Sequence, residues 1–189
     1  MRIIAGKARN LELAVPPGLA VRPTSGRGRK ALLDSLGDLT GLRVLDLFAG
    51  SGAFALECAS RGAARAVMVE LSPLHAETLR ENCRRIKKTG VETELEVAVT
   101  DAAAVERYAG NGADLIFADP PYAESGRLFR ELTASASFRE AFAGALLVWE
   151  IPDTPGARGE FLGGHPGVEE SELRSLGGVR FFIGKVKPL

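Results

Sequence analysis

The chain has 189 residues, 46% of them hydrophobic and 25% charged, with a formal net charge of zero; these proportions fit one soluble domain with its own core and disfavour disorder, a collagen-like repeat or a coiled coil. Two cysteines, Cys58 and Cys83, are too few for a disulfide scaffold and stand without metal-ligand spacing, so no metal site is expected. No apolar run approaches the roughly 20 residues of a membrane span, and Met1–Lys7 lacks the apolar stretch of a signal peptide, so a reduced, cytoplasmic domain is expected.

The first 30 residues carry seven basic side chains (Arg2, Lys7, Arg9, Arg22, Arg27, Arg29 and Lys30) against one acid, Glu12. A basic arm on an acidic body suggests a polyanionic partner. Ile3-Ile4 and Leu11–Val15 read as strands with Gly6 and Asn10 as turn residues. Pro16-Pro17-Gly18 and Arg22-Pro23 then impose an extended path, because a residue before proline is pushed out of the helical region. Thr24 or Ser25 can cap a helix over about 27–37, with Ala31, Leu32, Leu36 and Leu39 on one face.

From Gly41 strands and helices alternate. Strands are expected at Arg43–Phe48, Ala66–Val69, Glu94–Val99, Ala113–Ala118 and Ala145–Glu150. Helices are expected at Ala53–Arg61, at Pro73–Lys88 behind a Ser72 cap, and near 126–135. The tail carries two strands about Gly177-Gly178, a hairpin signal. Together these predict an α/β fold, a doubly wound sheet with an antiparallel C-terminal hairpin. A β-hairpin and basic arm over 1–26 would precede the sheet domain over 27–189.

The first strand ends Asp46-Leu47-Phe48-Ala49-Gly50-Ser51-Gly52. Glycines there let the backbone turn tightly and approach a ligand, and the next helix offers free N–H groups. Glu70 ends the second strand, where an acid can accept ribose hydroxyls, with Leu71 beside it. This much indicates an adenosine cofactor without saying which. Asp46 favours a cationic one, such as S-adenosylmethionine, since a carboxylate there repels a pyrophosphate. Alternatively, Asp46 serves only to fix the glycine loop. Asp101, followed by Ala102, lies on the same rim and can meet the adenine amino group, cap Ala102–Tyr108, or do both.

The fourth strand ends Asp119-Pro120-Pro121-Tyr122. Two prolines hold an extended backbone whose carbonyls can face outward as acceptors, Asp119 adds a carboxylate, and Tyr122 adds a surface for stacking an extruded base. Methylation of an exocyclic amine needs these parts: both N–H bonds held and the nitrogen aimed at the methyl group. A proton lost from nitrogen can go to Asp119 or water.

On these residues the chain resembles class I S-adenosylmethionine-dependent methyltransferases, and in particular the bacterial 16S rRNA guanine-N2 methyltransferases that modify guanine 966. The matching stretches are Arg2–Gly6, Arg22–Arg29, Leu45–Ala53 and Asp119–Tyr122. The resemblance implies a Rossmann-like domain whose N-terminal hairpin and arginine-rich segment dock rRNA in an assembled or assembling 30S particle, with no obligate protein partner evident. Arg2, Arg9, Arg22, Thr24, Arg27, Arg29 and Lys30 are then the candidate RNA contacts. The chain departs from the pattern in the arm, at Gly26, Lys30, Leu33, Asp34 and near Asn10-Leu11. Rival readings are an amino methyltransferase for another rRNA or tRNA base, for DNA adenine or for a protein glutamine, an NAD-dependent oxidoreductase, and a non-catalytic rRNA-binding factor. His75 and His165 are expected on the surface and Trp149 in the core. Arg84–Lys88 is expected to complement the end of its helix.

Overall fold

The computed structural model describes residues 1–18, 26–108, 110, 112–154, 159, 161 and 165–189. In chain order these form α1 (Gly26–Leu36), β1 (Arg43–Asp46), α2 (Ala53–Ser60), β2 (Arg65–Glu70), α3 (Pro73–Lys87), β3 (Glu94–Val99), β4 (Leu115–Ala118), α4 (Ser125–Ala134), α5 (Ala136–Phe142), β5 (Leu146–Ile151), β6 (Val168–Leu176) and β7 (Val179–Val186). Short 3-10 segments cover Ala102–Tyr108 and Tyr122–Glu124.

The strands form one sheet in the order β3-β2-β1-β4-β5-β7-β6. The first five are parallel, and β7 runs antiparallel to both β5 and β6. The central strands are apolar between their ends because both faces are covered, with Arg43 and Asp46 at the ends of β1 and Arg65 and Glu70 at the ends of β2. Alternate residues serve opposite faces: Val44, Met68 and Phe117 pack with α1, α2 and α3, while Leu45, Val67 and Ile116 pack with α4 and α5. The chain leaves β1 toward β2 and β3 and later returns to β4 on β1's other side. That reversal opens a crevice at the carboxyl ends of β1 and β4.

Two expectations change, and the C-terminal hairpin stands as expected. The N-terminal strands reduce to an isolated antiparallel bridge between Arg2 and Glu12, supported by backbone bonds such as Ile3 N–H to Leu11 O at 3.0 Å. Gly6 and Asn10 do take positive φ values, 79° and 71°. A second helix, α5, follows α4 directly, started by the Ser135 hydroxyl, which accepts from Phe138 N–H at 3.3 Å. The terminal hairpin begins at Val168 and turns through Gly177 and Gly178, both at positive φ. Thr24 and Ser25, the expected caps of α1, lie outside the described residues, as does Arg22. Among the described residues no helix is long and apolar enough to cross a membrane.

The N-terminal arm is seated on α2. Glu57, fully buried, accepts Ile4 N–H at 2.7 Å and Ala5 N–H at 2.8 Å. Ser60 Oγ accepts Ala8 N–H at 2.9 Å and donates to Ala5 O at 2.6 Å. Asn82, also fully buried, holds Ala14 by both backbone groups and donates to Ser51 O at 2.9 Å, which ties the arm to the glycine loop.

Candidate active site

A cavity of about 470 Å³ opens in the crevice at the ends of β1 and β4. Its volume suits a nucleoside-sized ligand. Asp46, Phe48, Ala49, Gly50, Ser51, Glu70, Leu71, Asp101 and Ala102 all line it, and Asp119 and Pro121 stand in its wall. Gly52 does not. It takes φ 77° at the start of α2, and a Cβ there would lie 2.3 Å from Leu79 Cδ1, so its part is to let α3 pack close to the loop.

Asp46 is 2% exposed. Its Oδ2 accepts Ala55 N–H at 3.4 Å, so it holds the first turn of α2 as well as facing the cavity. Burial, aided by the charges of Asp119 and Glu70 and opposed by backbone bonds from Ala55 and Phe48, pushes its pKa up to about 7. Glu70 braces the glycine loop: Oε2 accepts Gly50 N–H at 3.0 Å and Oε1 accepts Ser72 N–H at 2.8 Å. Each oxygen keeps acceptor capacity toward the cavity. Asp101 caps the 3-10 segment by accepting Ala103 N–H at 2.9 Å while also lining the cavity. Leu71, 69% exposed, offers an open apolar side chain at the rim.

In Asp-Pro-Pro-Tyr, Asp119 and Tyr122 are half-buried, Pro120 is buried and Pro121 exposed. One expectation fails: the Pro121 carbonyl accepts Glu124 N–H at 3.0 Å and closes the 3-10 turn. The Pro121 carbonyl is thereby engaged within the turn, which leaves Asp119 and the Pro120 carbonyl as the candidate acceptors of the motif. Tyr122 lines a second depression of about 220 Å³ with Arg130 and Thr154, and Arg127 borders both hollows. The tetrapeptide thus stands between a larger cavity and a smaller one.

Several cavity residues have no motif in the sequence. His75, expected on the helix surface, lines the wall with Nδ1 3.6 Å from Glu70 Oε1. Glu150, 3% exposed, reaches the cavity from β5, and Phe181 reaches it from β7. Phe54 and Phe117 stack at 3.9 Å between centroids and form an aromatic wall. Their chain positions are far apart, and only the strand order brings them together. The Ser72-Pro73 start of α3, which places His75 one turn in, is the one local signal.

The structure gives Arg29 a different place from the exposed phosphate contact expected of it. Its side chain is 9% exposed and faces the cavity, with Nε 4.0 Å from Glu57 Oε2. Arg2, Arg9, Arg27 and Lys30 are exposed. Lys30 Nζ donates to Asp34 at 2.5 Å, so two departures of the arm are partners of one another. In the run 84–88, Arg84 and Arg85 pair with Glu81, and Lys87 donates to Thr93 O at 2.5 Å. Trp149 is fully buried, with Nε1 donating to Ser125 Oγ at 2.9 Å.

The model of the family described as conserved hypothetical protein 95 matches residues 1–152. The chain belongs to that family. Ribosomal RNA small subunit methyltransferase D of Escherichia coli strain K12 is 33% identical over 123 residues, 65% of this chain and 60% of that protein. The chain thus spans less than two thirds of that curated relative. A hypothetical protein of Thermus thermophilus is 35% identical with a TM-score of 0.73, covering 98% of this chain and 99% of that one. An O-methyltransferase of Bacillus cereus in complex with SAH, 20% identical, superposes with a TM-score of 0.59 over 90% of this chain and 84% of that one. The chain therefore has a Rossmann-like fold, the fold also seen in that O-methyltransferase.

Proposed function

We propose that the protein transfers a methyl group from S-adenosylmethionine to the exocyclic N2 amino group of a guanine in 16S rRNA, guanine 966 being the first candidate. The single observation that carries the reading is the joining of a carboxylate-lined nucleoside cavity to Asp119-Pro120-Pro121-Tyr122 at one crevice. Asp46, Glu70, Asp101, Asp119, Glu124 and Glu150 all border that cavity. Such a set of acidic acceptors suits a cofactor bearing a sulfonium and an ammonium, and disfavours the pyrophosphate of NAD. When bound, S-adenosylmethionine supplies an electrophilic methyl group.

The chain's own residues do the rest. Glu70 and Asp101 offer acceptors for ribose and adenine groups, and Leu71 covers the ring. Asp119, with the Pro120 carbonyl, accepts the two N–H bonds of the target amine and turns its lone pair toward the cavity. Tyr122, on the side of the smaller hollow, stacks on the base turned out of its helix. Because the amine's proton becomes acidic only as the N–C bond forms, Asp119 or water can take it without a strong base. The relative from Escherichia coli named for small-subunit rRNA supports the substrate, and the exposed basic side chains of the arm support docking of RNA, within an assembled or assembling 30S particle.

The test is transfer of labelled methyl to 30S subunits lacking native guanine modification, followed by nucleotide mapping. Label at guanine 966 supports the full reading. Label on tRNA or another base keeps the transfer chemistry and discards this substrate. Asp119→Ala should lower transfer about a hundredfold or more, since the amine is then no longer held in line. Unchanged turnover in that variant would remove the assigned role of Asp119.

A further inference from the structure

We propose that Arg29 and Ser51 form the seat for the carboxylate of the cofactor's amino-acid tail, which makes Arg29 a cofactor ligand instead of an RNA contact. The inference rests on the methyltransferase reading and deepens it.

Arg29 enters the cavity from α1 and Ser51 from the glycine loop. Arg29 Nη2 donates to Arg2 O at 3.0 Å. Its Nη1 is directed to Met1 Sδ at 3.6 Å, and Ser51 Oγ is directed to the same sulfur at 3.6 Å. Two good donors from separate elements thus converge on a thioether, a weak acceptor. Arg29 Nε is buried and has no hydrogen-bond partner among the described residues. Glu57 lies 4.0 Å from it, but that carboxylate already accepts Ile4 N–H, Ala5 N–H and Arg61 Nε. A guanidinium held out of water with two of its N–H groups poorly served is costly, and a carboxylate is the acceptor that best compensates it, through short charge-assisted bonds. Burial accordingly holds the Arg29 pKa below its ordinary value, against the opposing charge of Glu57.

The rest of the cavity says which carboxylate. The bordering acids can receive a ligand's cationic groups and would repel an anion. Arg127, the other arginine on the wall, is paired with Glu124 and Glu131. Among the described residues, Arg29 is therefore the bordering arginine whose neighbouring carboxylate, Glu57 at 4.0 Å, is already taken up by other donors. An amino-acid tail carries an ammonium and a carboxylate a few bonds apart, and the cavity lining holds acids for the first and Arg29 with Ser51 for the second. Met1, 41% exposed, can swing out as the carboxylate takes over both donors.

The experiment compares binding of S-adenosylmethionine with that of its decarboxylated form by calorimetry, using the whole chain. The decarboxylated compound keeps the sulfonium and the ammonium and lacks only the group in question. The wild-type protein should prefer the intact cofactor by roughly 10- to 100-fold, the range of a charged hydrogen-bonded contact. Arg29→Gln should erase that preference, weakening the intact cofactor by about the same factor and leaving the decarboxylated one within about threefold. Ser51→Ala, which leaves the contact with Glu57 untouched, should weaken the intact cofactor alone by roughly three- to tenfold, and stands in if Arg29→Gln does not fold. Equal loss of both ligands in these variants, or an undiminished preference, overturns the seat while leaving the methyltransferase reading in place. Failure of the wild-type protein to bind either compound overturns both.

Discussion

Asp46 is where one side chain feels the whole site. Its carboxyl is 2% exposed at the end of β1, and burial, with Asp119 and Glu70 nearby, raises its pKa from 3.8 to about 7. Between those two values the folded protein keeps a proton that the unfolded chain has released. Stability contributed by this group is therefore present below about pH 4, falls as pH rises toward 7, and is level above it. Asp46→Asn should flatten that fall, read from denaturant midpoints across the pH range. A cationic cofactor favours the ionised form, so its affinity should rise as pH climbs to about 7 and plateau beyond, with proton release detectable by calorimetry in two buffers. An affinity indifferent to pH through this window would separate Asp46 from the cofactor's charge. The sequence shows Asp46 because an acid before a glycine turn is a local feature. It hides the raised pKa, which comes first from burial in the folded crevice and then from the charges of Asp119, just past β4, and Glu70 at the end of β2.

At the scale of elements, the arm and α2 act as one piece. Ala53–Ser60 is buried at every position, yet Glu57 and Ser60 read in the sequence as an ordinary polar face. Their partners are backbone N–H groups of the arm, some 50 residues earlier. Gly6 is the tightest point: at φ 79° a Cβ would stand 1.9 Å from Ser60 O. Gly6→Ala should therefore combine the left-handed penalty with a backbone clash and cost about 2–4 kcal/mol. Gly37 provides the control, since its φ is 82° and a Cβ would meet nothing within 4 Å; Gly37→Ala should cost about 1 kcal/mol. Hydrogen exchange at Lys7 and Ala8 should quicken in the first variant only, because their amides bond to Ser60. Similar costs and unchanged exchange would mean that the arm tolerates displacement. Here too the turn at Gly6 and Asn10 is readable from residue type, while the seat beneath it is not. The α5 helix had a local signal, Ser135 three residues before Phe138, with Phe142 one turn on. The early part of β6 had little: Glu169, Glu170 and Glu172 suit an exposed sheet edge, where charge discourages further pairing, and they carry no apolar alternation.

For the whole molecule, strand order decides where charge can act. Parallel strands β1 to β5 are legible from apolar runs and glycine turns, and the reversal between β1 and β4 then puts Asp119 beside Asp46. The same reversal surrounds the cavity with carboxylates, so a phosphate backbone is turned away from it while a neutral base can approach. On the proposed function, attraction for RNA comes from elsewhere, and Arg2 and Arg9 on the arm and Arg27 on α1 are the exposed candidates to supply it. Removing one arginine that neutralises a phosphate should lower the slope of log affinity against log salt by about 0.7–0.9. Replacing Arg2, Arg9 and Arg27 by serine should therefore reduce the slope for an rRNA fragment by about two or more, with cofactor affinity unchanged. Arg29→Gln should do the reverse, weakening the cofactor while leaving the salt slope as it was, because Arg29 faces inward. That double dissociation divides a basic segment into a part that holds RNA and a part that serves the cavity. If all four arginines changed the slope alike, the buried position of Arg29 would have to open when RNA binds.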